Sequence, residues 1–132
     1  MATIFSQIIK GEIPSYKIKE DDNYYSFLDI NPISEGHTLV VPKKEVDYIF
    51  DLDDELLAGM IQFAKPIAHA IDRALGTIRT GIIVEGLEVP HAHIHLIPIY
   101  RTGQNVSLGN NIEVSKQRMQ ELAEKIQSEV NS

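Results

Sequence analysis

The chain contains no cysteine. Disulfides, thiolate nucleophiles and cysteine-ligated zinc are thereby excluded, which fits a reducing compartment. Positive charge is also scarce. Lys and Arg number 12 against 19 Asp and Glu, a net charge of -7, and Lys43-Lys44 is the only adjacent basic pair. Such a chain exerts no long-range attraction on nucleic acid polymers or anionic membranes. A small phosphorylated ligand would have to be held by local donors. No apolar run approaches the ~18 residues that a membrane span requires. The opening Met1-Ala2-Thr3-Ile4-Phe5-Ser6 has no basic region followed by a long apolar stretch, so no signal peptide is expected. Internal repeats and low-complexity tracts are missing too. These absences leave a cytoplasmic enzyme or binding protein as the expectation.

The 132 residues suffice for one domain, expected over 1–132, that buries roughly 65–70% of its unfolded surface. Ile4, Phe5, Ile8 and Ile9 recur at helical spacing until Gly11 and Pro14 stop them. Strands are expected at Tyr16 to Glu20 and Tyr24 to Ile30, with a turn at Asp21-Asp22-Asn23. His37 to Val41 reads as a strand buried on both faces, hence central. Asp51 or Asp53 can cap a long helix that runs to about Leu75, kinked at Pro66 and stopped by Gly76. Thr77 to Val84 is a fourth strand, joined to a fifth by a short hairpin connection at Gly86 to Pro90. Asn110 or Asn111 could cap a last helix, about 112–130, with a stripe of Ile112, Met119, Leu122, Ile126 and Val130. The order predicts an α+β fold on a mainly antiparallel five-stranded sheet.

Three of the five histidines alternate in one run, Pro90-His91-Ala92-His93-Ile94-His95-Leu96-Ile97-Pro98. The period of two predicts a strand with His91, His93 and His95 on one face, ~7 Å apart, and Ala92, Ile94 and Leu96 in a core on the other. Each imidazole has two nitrogens that need partners, so the row suits an anion, a proton transfer or a metal better than a core. A neutral ring, with an ordinary pKa of ~6.5, can act as a nucleophile near neutral pH. The attacking nitrogen would need its opposite nitrogen protonated and tied to a fixed acceptor. His93, in the middle, is the candidate nucleophile, and its neighbours can donate to phosphate oxygens. A zinc site is the second reading. Three successive alternate rings span ~13 Å and diverge, so a ligand from elsewhere would be needed, and His37 could supply it. A solvent-facing polar strip is the third. His69, in the long helix, suggests no role.

The run His91-Ala92-His93-Ile94-His95-Leu96-Ile97 resembles the His-x-His-x-His signature of the histidine triad (HIT) superfamily. The likeness extends through Thr3-Ile4-Phe5, Ile8 to Pro14, Phe27-Leu28-Asp29-Ile30-Asn31-Pro32 and Gly36-His37-Thr38-Leu39-Val40-Val41-Pro42-Lys43, covering Thr3 to about Arg101. It is nearest to the Hint-like and bacterial HIT proteins. The resemblance implies a homodimer that binds nucleoside phosphates. No cofactor is expected, and no tightly bound zinc, because the three rings diverge along the strand and no cysteine is available. It implies cleavage at the α-phosphate of nucleotide phosphoramidates or dinucleoside polyphosphates. His93 would attack to give a nucleotidyl-histidine, which water resolves. His91 and His95 would contact phosphate oxygens or steer the tautomer of His93, and His37 would approach from the neighbouring strand. Asp29 would bond the ribose hydroxyls, and Phe5, Ile18, Phe27, Leu28 and Ile30 would line the base pocket. On local pattern alone Asp29 is equally a turn residue and the apolar five are core. Two departures stand out. Val84 occupies the place of an Asn that contacts ligand. Glu85-Gly86-Leu87-Glu88-Val89-Pro90 replaces a Gly-rich loop with Gln and Ser or Thr that handles the leaving group. The competing class is a nucleotide sensor or scaffold with little turnover.

Overall fold

A computed structural model describes residues 2–131. Its elements are α1 (Ile4–Ile9), β1 (Lys17–Glu20), β2 (Tyr24–Leu28), β3 (Thr38–Pro42), a short 3-10 turn at Ile49–Asp51, α2 (Asp54–Leu75), β4 (Arg79–Ile83), β5 (Ile94–Ile99) and α3 (Lys116–Val130). The five strands form one antiparallel sheet in the order β1-β2-β3-β5-β4, which places β3 in the middle. Among the described residues no helix is long and apolar enough to cross a membrane.

Each helix begins where a side chain takes over an orphan backbone N–H. Thr3 accepts from Ser6 N at α1, Asp53 from Leu56 N at α2, and Ser115 from Arg118 N at α3. At the end of α2, Gly76 adopts φ +67° and its N–H bonds the Asp72 carbonyl. Helix α2 continues through Pro66 instead of ending there. The missing N–H would have met the carbonyl of Gln62, on the exposed side of the helix. Helix α3 starts later than the apolar stripe predicts. Ile112 is half exposed and its N–H bonds the Pro32 carbonyl, so it belongs to the preceding loop.

The strands sort their residues by parity. Tyr24, Leu28, Val40, Ile94 and Leu96 meet Met60, Ile67, Ile71, Leu122 and Ile126 of α2 and α3 in the main core. Tyr25, Phe27, Leu39 and Val41 emerge on the opposite face, where Phe5 and Ile8 of α1 cover them. Leu39 pairs with His95, so the histidine face of β5 is the face that α1 covers. Ala92, Ile94 and Leu96 are all buried in the main core, as the alternation predicts.

Candidate functional site

Only His95 lies within β5; His91 and His93 precede it. Their backbone is pinned by bonds outside the ladder, with His91 N donating to Val89 O and Ala92 N to Val46 O, both at 2.7 Å. The rings therefore do not stand as an even row. The His93 and His95 centroids are 5.0 Å apart in an edge-on arrangement. His37, His91, His93 and His95 are each at most 2% exposed, which overturns the reading of a solvent-facing strip. Phe5 packs edge-on over His93 at 5.1 Å and over His91 at 5.7 Å.

Buried imidazoles need partners for both nitrogens, and the partners here dictate where the protons sit. Nδ1 of His93 is 2.7 Å from the backbone carbonyl of His91. A carbonyl only accepts, so Nδ1 carries the proton. Nε2 of His93 keeps its lone pair and makes no hydrogen bond among the described residues. His37 accepts at Nδ1 from the Ile33 N–H at 3.1 Å. Its proton is therefore on Nε2, which donates to Nδ1 of His95 at 2.9 Å. His95 in turn must carry its proton on Nε2. That Nε2 is buried and without a hydrogen-bond partner among the described residues. Burial pushes both His37 and His95 down to about 4, and for His95 the neighbouring His37 and His93 add to the effect. Both are neutral near pH 7.

His91 does not reach the ligand space. Its Nε2 donates to the Pro42 carbonyl at 2.8 Å, and its Nδ1 lies 2.7 Å from the Thr3 hydroxyl. Burial lowers its pKa, partly opposed by the bond to Pro42 and by the Glu45 charge. Thr3 also caps α1, and Glu45 accepts from Thr3 N and the Ser6 hydroxyl, so one network ties the N-terminal helix to the histidine segment. His91 thus positions its neighbours through its ring, and its carbonyl orients His93. His37 is set in place by Gly36. At φ +92°, with Leu75 Cδ1 only 2.5 Å from where a Cβ would be, position 36 admits no side chain without displacement.

Beside these rings lies a cavity of about 190 Å³. Its lining includes Phe5, Phe27, Leu28, Asp29, Ile30, His93 and His95. Of the six residues expected around a nucleoside, Ile18 is the one the structure places elsewhere. Lys17 stands opposite Phe27, so Ile18 turns to the other face and packs in the core under α2 and α3. Asp29 combines the two roles weighed for it. Oδ1 accepts from Asn31 N at 2.8 Å in a turn, while Oδ2 sits at the cavity, 3.5 Å from His37 Nε2. Of the two acidic loop residues, Glu88 lines the cavity, whereas Glu85 and Val84 line a separate groove with Tyr48, Phe50, Ile61 and Leu87. Sequence reasoning did not single out Val89, Ile8 or Leu39 as lining residues, and all three are part of the wall; the alternation of β3 contains the signal for Leu39. His69 is exposed on α2, away from the cavity.

Two groups could offer three donor atoms to a metal, Asp29-His37-His95 and Glu88-His93-His95, each with its atoms within 4.8 Å of one another. Both fit poorly. The nitrogens that join His37 to His95 are already engaged with each other, and the free Nε2 of His95 carries a proton. What the arrangement can supply is a bare imidazole nitrogen, a fixed neutral N–H donor and a carboxylate, all around one apolar cavity.

Comparison with known proteins places the chain in a family. The HIT domain profile matches residues 10–102. The chain is similar to a HIT-like protein of Borreliella burgdorferi, 37% identical over 93% of this chain and 94% of that one. It is also similar to an adenosine 5'-monophosphoramidase of Schizosaccharomyces pombe, 31% identical over 98% and 99% of the two chains. Among solved structures, a hypothetical histidine triad nucleotide-binding protein of Sulfolobus tokodaii superposes with a TM-score of 0.86 at 27% identity, over 96% of this chain and 91% of that one. With the profile spanning most of the sequence and the fold shared from end to end, the chain belongs to the HIT domain family.

Proposed function

We propose that the protein is a nucleotide hydrolase or nucleotidyl transferase acting at the α-phosphate through a nucleotidyl-histidine on His93. The observation that carries this reading is the bond from His93 Nδ1 to the His91 carbonyl, which leaves Nε2 as the attacking atom. In the first step the Nε2 lone pair forms a bond to phosphorus as the bond to the leaving group breaks. The electron pair departs with the leaving group, which takes up a proton from water. In the second step water adds to phosphorus, the pair returns to Nε2, and a nucleoside monophosphate leaves with a proton released to solvent. The N–H of His95 is the donor available to a phosphoryl oxygen, a contact that would satisfy its unpartnered Nε2. Asp29 would accept from the ribose hydroxyls, and Phe5, Phe27, Leu28 and Ile30 would enclose the base. Similarity to proteins named adenosine 5'-monophosphoramidase favours phosphoramidates over dinucleoside polyphosphates as the substrate class. The test is rapid mixing with an adenosine phosphoramidate followed by mass spectrometry of the His93 peptide. A nucleotidyl adduct confined to His93 is expected; turnover without any adduct would refute the covalent route and leave direct attack by water.

The same reading includes a homodimer in the cytoplasm. Support for the pairing comes from the edge strand β4, beside which Ile82, Val84, Ile61, Tyr48, Phe50 and Leu87 are all exposed. An unpaired edge flanked by apolar side chains is a surface for pairing with another chain. Sedimentation equilibrium should give twice the 14.8 kDa chain mass.

A further inference from the structure

We propose that Glu88 selects the leaving group, so that the site favours substrates whose departing amine carries a second, unreacting ammonium. The inference rests on the phosphoryl-transfer reading above and concerns the half of the substrate that it leaves open.

The cavity beside His93 contains no Lys and no Arg; its charged lining side chains are Asp29 and Glu88. Asp29 is partly engaged, with one oxygen in the turn to Asn31 and the other beside His37. Glu88 is not. Its carboxylate forms no hydrogen bond among the described residues. Oε1 stands 3.7 Å from His95 Nε2, and the side chain is 62% exposed. Single donor atoms of Glu88, His93 and His95 lie within 4.8 Å of one another. A phosphorus attacked by His93 and held by His95 would therefore sit within reach of this carboxylate; the leaving atom departs in line, opposite His93 Nε2, and the far end of a flexible leaving chain can fold back to Glu88.

The placement is built in by the loop. Gly86, at φ +76°, turns the chain between Glu85, which lines the outer groove, and Glu88, which enters the cavity. The bonds from His91 N to Val89 O and Ala92 N to Val46 O fix the chain just beyond Glu88. A polyphosphate leaving group would bring negative charge to two carboxylates with no cation to offset it. An ammonium on the leaving chain would find in Glu88 an acceptor whose nearest donor, His95 Nε2 at 3.7 Å, lies beyond hydrogen-bond distance. Because Glu88 is largely wet, the preference is modest and salt-sensitive.

The experiment compares three adenosine 5'-phosphoramidates that differ in one terminal group: the butyl, 4-aminobutyl and 3-carboxypropyl amides. In the unsubstituted protein kcat/KM should be about fivefold higher for the 4-aminobutyl than for the butyl amide, and lowest for the 3-carboxypropyl amide. Added NaCl should compress these ratios. Glu88→Gln should bring the cationic-to-neutral ratio close to one, and Glu88→Lys should invert the order. Glu85→Gln, in the outer groove, should keep the original ratio. Equal rates for the three amides, or the same order in Glu88→Gln, would overturn the role of Glu88 while leaving the histidine mechanism intact. Absence of turnover for all three amides, or undiminished turnover in His93→Ala, would overturn the phosphoryl-transfer reading and this inference with it.

Discussion

The carbonyl oxygen of His91 stands 2.7 Å from Nδ1 of His93, and that one contact decides which nitrogen of the middle histidine can attack. His93→Ala removes the proposed attacking atom without touching Asp29 or the apolar wall. Turnover should fall by about a thousandfold or more, while a nucleoside monophosphate binds within about threefold of its original affinity. Steady-state kinetics beside titration calorimetry reads both. Substantial residual turnover would sink the covalent mechanism.

The buried pair His37 and His95 makes stability depend on pH in a defined window. Their folded values are held down to about 4, below the ~6.5 of an unfolded histidine. Between those values the unfolded chain binds more protons than the folded one. Stability is therefore full above pH 6.5 and is lost as pH falls towards 4, by up to about 1.4 kcal/mol per pH unit for each ring. Urea unfolding midpoints at pH 7.5, 6.5, 5.5 and 5.0 lie above the range where most carboxylates titrate. A midpoint that stays flat from 6.5 to 5.0 would contradict the assignment.

Thr3 serves two masters, the cap of α1 and the ring of His91. Thr3→Val should destabilise the fold by about 2–3 kcal/mol, combining a lost cap with a buried nitrogen left without its partner. Thr3→Ser should recover most of that loss. If Val and Ser behave alike in chemical denaturation, the hydroxyl is not what anchors the helix to the histidine segment.

No tightly held zinc is expected, because a metal at either candidate cluster would have to displace a proton or a hydrogen bond from the His37-His95 pair. Elemental analysis before and after chelator treatment, with activity measured on the same samples, checks this. Stoichiometric zinc whose removal abolishes activity would reverse the conclusion.

Much of this organisation is legible in the residues themselves. The run Ala92, Ile94, Leu96 announces its buried face, the adjacent valines of β3 announce a central strand, and Asp53 with Gly76 brackets α2. What escapes is set by contacts distant in sequence. The bond from Ala92 N to Val46 O keeps His91 and His93 out of the ladder, and no local pattern around position 92 contains it. Ile18 sits on the far face because Lys17 registers with Phe27, a pairing that alternation within β1 alone does not fix. The start of α3 at Lys116 depends on Ile112 finding the Pro32 carbonyl. For the site, the chain identifies the histidines, but the carbonyl that orients His93 is a backbone atom and leaves no signature in residue type.

The hydrogen-bonded line from Ile33 through His37 to His95 begins at a peptide N–H, a group that does not give up its proton. A wire closed at one end in this way transmits polarity and no current. Nothing upstream can replace a proton lost from His95 Nε2, so that nitrogen is a permanent donor and not an acid that is spent and recharged each turnover. Under the proposed mechanism, protons would be exchanged from the side of the cavity. The His37 side of the site can then stay fixed, with proton exchange confined to the cavity that His93 and His95 line.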